Sequence, residues 1–177
     1  MITAPSPRTG PATRGDRPPQ AQTLVVAAGL AAAAGVIHIK AGIDHAPHWW
    51  AFGVFFGVVA YAQLGWAYAV YRGRAGERLL RVALYGSLAV TAIWLMSRTA
   101  GMPIGPWAWE PEPIAVADTV ATLDQLALAA LVGAWLRPSG RAGRLFGWLR
   151  GNHAVRLGMM LASASLLALA FGSHSHS

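Results

Sequence analysis

"WWAFGVFFGVVAYAQLGWAYAVY", residues 49–71, runs for 23 residues without one charged side chain. A soluble helix of that length would carry a stripe of charges toward water, and this one has none. As a helix it exceeds the roughly 20 residues needed to cross the hydrocarbon core of a bilayer. The segment is therefore read as a transmembrane helix. Similar apolar runs recur at about 24–41, 79–98, 114–136 and 154–172. The breaks between runs carry helix-stop chemistry: Gly42 and Pro47, then "YRGRAGER" (71–78), "GMPIGPWAWEPEP" (101–113) and "RPSGRAGR" (137–144). Composition agrees, because the 177 residues are 55% hydrophobic and only 12% charged, against about 25% charged in soluble domains. The fold class expected is all-α, an integral membrane bundle of five transmembrane helices.

Residues 1–22 contain five Pro, three Arg and hardly a large apolar side chain. Nothing there offsets the entropy of ordering, so a disordered tail is expected, followed by a membrane domain over 23–172 and a short tail at 173–177. A cleaved signal peptide would place its apolar stretch nearer the start. Twelve of the thirteen Arg fall on alternate sides of the five runs. By the positive-inside rule that side is cytoplasmic, which puts the N-terminus inside and the "SHSHS" terminus outside. Trp49, Trp50, Trp107 and Trp109 lie where an interfacial aromatic belt would sit. The expected location is a bacterial plasma membrane, crossed several times, with the lipid bilayer as the main partner. The net charge of +7 sits in loops suited to lipid headgroups, and no nucleic-acid motif accompanies it.

The groups that could carry chemistry gather on the other side. His38, Asp44, His45 and His48 fall within eleven residues, and Glu110, Glu112, Asp118 and Asp124 follow later. Imidazole and carboxylate together suit a divalent transition ion such as zinc or copper, so His38, His45, His48, Asp118 and Glu112 form the candidate metal set. With no cysteine in the chain, thiolate ligands, disulfides and a cysteine nucleophile are excluded. No haem, flavin or nucleotide signature is present. Asp44, Arg98, Asp124, Thr122 and Gln125 are candidates for supporting the ligands or handling protons. Asp118, Thr122 and Gln125 share one helix face, whereas Asp124 points about 120° away from Asp118. If Pro113 opens the helix, Asp118 lies about 7–8 Å below its start and Asp124 about 16 Å, near mid-bilayer. A carboxylate that deep costs about 2.5–3.5 kcal/mol and calls for a function or a partner, for example Gln63, Tyr61 or Thr91. Arg98, alone among the Arg on its side, is expected to meet one of the carboxylates. Glu110 and Glu112 alternate with Pro111 and Pro113, so that one faces the site and the other solvent.

The stretches "HIKAGIDHAPHWWAFGVFFGVVAYAQLGWA", "IWLMSRTAGMPIGP" and "EPEPIAVADTVATLDQ" resemble a group of small multispanning membrane proteins of actinobacterial genomes. The resemblance covers roughly 24–136 and rests on His38, Asp44, His45, Arg98, Pro103, Asp118 and Asp124. It implies a four-helix core with a polar outer site and assigns no activity. Three functions remain open from the residues. The first is a divalent-metal protein that handles the ion or uses it to activate water. The second is an accessory subunit of a larger membrane complex or homo-oligomer, in which the polar cluster only locks the helices. The third is a small proton-coupled transporter that titrates Asp124. Whether the chain is an enzyme is left open.

Overall fold

The computed structural model describes residues 19–137 together with Gly158 and Met160. The fifth expected span and both expected tails therefore lie almost wholly outside the described residues. Four long helices are described: α1 (Pro19–His45), α2 (Trp50–Tyr71), α3 (Glu77–Thr99) and α4 (Val116–Leu136). All four are long and apolar enough to cross a membrane, since even the 21 residues of α4 rise about 31 Å. Their polarity is inverted relative to a soluble bundle. Val54, Val58, Val82, Tyr85 and Leu95 are exposed, while His38, Ser87, Thr122, Asp124 and Gln125 are buried. Apolar side chains outward and polar ones inward is what a bilayer solvent selects. The chain is a multi-pass membrane protein.

The boundaries differ from expectation at three places, each for a local reason. Helix α1 passes through Gly42 instead of ending there. A Cβ at Gly42 would lie 3.3 Å from the Phe56 Cβ, and one at Gly53 would lie 2.8 Å from the Ala46 Cβ. These glycines are places where α1 and α2 press together, as small residues do at membrane helix contacts. Pro47 does not open α2. It sits in a turn where the amides of His48 and Trp49 both donate to the His45 carbonyl, at 3.1 and 3.2 Å, and α2 begins after an extended Trp49. Finally, α4 starts at Val116, so Asp118 stands in its first turn and not 7–8 Å further in.

In cross-section the helices follow the order α2, α1, α4, α3, each packed on the next, while α2 and α3 barely touch. Yet α2 and α3 are joined by the short Arg72–Gly76 link, where Gly73 takes φ +69 and the Trp66 indole donates to the Leu79 carbonyl at 3.2 Å. They meet at that end and, among the described residues, make little further contact. The arginine-rich half is a close-packed apolar core of Leu30, Trp66, Val70, Leu80, Leu131 and Val132. The other half is hollow.

Candidate binding cavity

The hollow is a cavity of about 230 Å³ lined from all four helices and from the loop between α3 and α4. Helix α1 contributes Ile37, His38, Ala41 and His45, Trp49 lines it from just before α2, and the start of α2 contributes Phe52, Phe55 and Phe56. From α3 come Val90, Ile93, Trp94, Ser97 and Arg98, and from α4 Asp118, Ala121, Thr122 and Gln125. The loop adds Met102, Ile104 and Glu112. An apolar cavity of about 150 Å³ already holds a benzene ring. This one is larger and has a polar side.

Its polar side is organised by Arg98. One guanidinium nitrogen donates to Glu112 and the other to Asp118, so a single side chain ties α3, the loop and α4. The loop delivers Glu112 by stitching itself to the end of α3. The Glu112 amide donates to the Ser97 carbonyl at 3.0 Å, and the Trp109 amide to the Met102 carbonyl at 2.7 Å. Gly101 (φ +75) makes this possible, because a Cβ there would lie 2.5 Å from the Glu110 nitrogen. Trp109 accepts φ +67, a strained value for a side-chain-bearing residue. Of the two loop glutamates, Glu112 turns inward and Glu110 is exposed, as the alternation implied.

The two imidazoles are set by the helix backbone. His38 Nδ1 lies 2.8 Å from the Ala34 carbonyl oxygen and 3.0 Å from Gln63 Oε1, and His45 Nδ1 lies 2.8 Å from the Ala41 carbonyl. A carbonyl only accepts, so Nδ1 carries the proton on both rings, and in the neutral form each Nε2 is a bare acceptor. Phe56 packs against both, with ring centroids 5.9 Å from His38 and 5.3 Å from His45.

The expected metal set is not assembled. No group of three or more His, Asp or Glu among the described residues is placed to hold an ion. His38 and His45 stand two turns apart on α1, about 10 Å of helical rise, with Phe56 packed against both rings. His48 turns away onto Trp107, at 5.5 Å between rings. Glu112 and Asp118 are engaged by Arg98. Asp44 is paired with Lys40 at 2.6 Å on the exposed side of α1 and does not line the cavity. Asp124 is fully buried yet also lies off the cavity, while Asp118, Thr122 and Gln125 all line it. Gln63, expected as a partner for Asp124, offers its carbonyl to His38, and Tyr61 is 82% exposed.

Trp94, Ser97 and the phenylalanines of α2 were not recognisable as site residues from sequence, where they read as ordinary apolar span. Fold and site define a multi-pass membrane protein with a polar-aromatic cavity at its arginine-poor end. Comparison of the chain with protein families, with characterised proteins and with solved structures finds no match.

Proposed function

We propose that this is a membrane protein that binds a small molecule in the outer half of the bilayer. The observation that carries the reading is the cavity, lined by all four helices and walled by Phe52, Phe55, Phe56, Trp49 and Trp94. Aromatic walls with a few convergent polar groups are the usual make-up of a small-molecule site. The outer location follows from Arg72, Arg74, Arg78, Arg81 and Arg137 at the opposite end of the helices. Reporter fusions should place Arg74 inside and Gly105 outside. The reverse result would move the cavity to the cytoplasmic leaflet.

Occupancy is tested by ligand-induced stabilisation of the detergent-purified protein. A planar apolar probe such as naphthalene, at about 100 times its Kd, should add about 2.7 kcal/mol to the stability of wild type. Ala121→Phe, which fills the cavity from α4 where Ala121 is only 5% exposed, should abolish that gain. Equal stabilisation of both proteins would mean that the probe binds elsewhere.

A divalent zinc or copper ion is the second reading, favoured by the Nε2 atoms of His38 and His45 left as acceptors by backbone-bound Nδ1 atoms. Such backbone support is common behind metal-bound histidines. The dispersal of the remaining donors weighs against it. Protein purified without a His tag should then hold well under one ion per chain. One ion per chain, lost in His38→Ala, would restore the metal reading. The resemblance to small actinobacterial membrane proteins fits either.

A further inference from the structure

Three donors around the cavity have no hydrogen-bond partner among the described residues: Trp94 Nε1, Gln125 Nε2 and Arg98 Nε. All three belong to cavity-lining side chains; Gln125 is 2% exposed and the Arg98 side chain 9%. A buried donor without an acceptor is costly, and three on side chains that line one cavity, each shielded in the empty protein, point to a guest whose oxygens they would meet on turning toward it. Thr91 Oγ1 also lacks a partner, but Thr91 does not line the cavity.

Charge then restricts the guest further. Arg98 faces two carboxylates, so the three side chains of this cluster sum to one net negative charge. That disfavours a carboxylate or phosphate, although the donors alone would welcome either. A neutral carbonyl oxygen satisfies the donors without adding charge. The walls suit a flat ring, since aromatic side chains stack face to face or edge to face on one. Access fits too, because the helices that barely touch, α2 and α3, both line the cavity, leaving a seam toward lipid among the described residues.

Resting on the small-molecule reading above, we propose that the cavity selects a neutral, membrane-soluble ring compound bearing carbonyl oxygens, of the quinone type. The carbonyls face Trp94, Gln125 and Arg98, and the ring lies among Phe52, Phe55 and Phe56.

The test compares 1,4-naphthoquinone, naphthalene and 2-naphthoate, which share one ring skeleton, by calorimetry on the full chain in detergent. The chain has no cysteine for the quinone to alkylate. Naphthoquinone should bind wild type about tenfold or more tighter than naphthalene, as expected for two added hydrogen bonds. Gln125→Leu keeps the volume and deletes the amide, whereas Trp94→Phe keeps an aromatic wall but deletes the N–H together with the five-membered ring that carries it. Each should cost naphthoquinone about threefold to tenfold more than it costs naphthalene. Gln125→Leu should not lower the melting temperature of the empty protein, since it removes an unpartnered donor at nearly constant volume. Equal binding of naphthoquinone and naphthalene, or equal losses of both in the variants, overturns the carbonyl assignment and leaves the small-molecule site standing. Tightest binding by 2-naphthoate overturns it in favour of an anion site. Failure of all three probes to bind wild type defeats the small-molecule reading itself.

Discussion

Arg98→Met should lower stability by about 3 kcal/mol, with a fall of roughly 6–12 °C in melting temperature for a chain of this size. Removing one member of a buried ion pair typically costs about 3–5 kcal/mol, because the partner is left charged and desolvated. Here two carboxylates lose their shared cation. The low end of the range applies because water relieves part of the loss: Glu112 is 38% exposed and Asp118 26%. Arg98→Lys should fall between the two, since one ammonium cannot reproduce a fork that gives a separate nitrogen to each carboxylate. The decisive comparison is the triple variant Arg98→Met, Glu112→Gln, Asp118→Asn. Neutralising the orphaned acids should recover most of the lost stability. Unfolding curves in detergent read all three. A melting temperature for Arg98→Met within 2 °C of wild type, about a third of the smallest fall expected, would show that the carboxylates do not depend on Arg98.

What could be read beforehand, and what could not, follows from the distance over which each feature is encoded. The helices are local features. An uncharged run such as 49–71 needs no partner to declare itself. The shared face of Asp118, Thr122 and Gln125 is equally local, fixed by helical spacing, and all three do line the cavity. Gly42 shows where locality ends. The same residue that stops a helix also lets two helices touch, and only the neighbour Phe56 on α2 decides between them. The candidate metal set is not grouped among the described residues, for a related reason. His38, Asp44, His45 and His48 are crowded in sequence, but the helix spreads them along its axis and around its circumference. Asp44 ends on Lys40, His48 on Trp107, and the two cavity histidines stand about two turns apart. Trp94 and Ser97 had no local signature, and Gln63 reads in sequence as a partner for Asp124 and not for His38, because their roles depend on which helix lies opposite. Arg98 was legible for a different reason. A single arginine on a side rich in acids has few places to go.

The loop that brings Glu112 to Arg98 depends on one backbone position, which leads to the second large effect. Gly101→Ala should destabilise the protein by about 2 kcal/mol or more, combining backbone strain with a steric clash. At φ +75 an L-residue is strained, and the added Cβ would also sit 2.5 Å from both the Glu110 nitrogen and the Trp109 carbonyl carbon. Both atoms are backbone, so no side-chain rotation relieves the contact. The loop must lift, and the first bonds exposed are those from Trp109 to Met102 and from Glu112 to Ser97. Glu112 then moves away from Arg98, which keeps only Asp118. The damage should therefore overlap with that of Glu112→Gln. Adding Glu112→Gln to Gly101→Ala should cost less than Glu112→Gln costs in wild type, a departure from additivity of about 0.5 kcal/mol or more. Gly86→Ala is the control, since a Cβ there meets nothing within 4 Å and should leave stability unchanged or slightly higher. If Gly101→Ala behaves like Gly86→Ala, the loop does not hold Glu112 against Arg98. Strict additivity with Glu112→Gln would instead show that the loop and the Arg98 cluster stand independently.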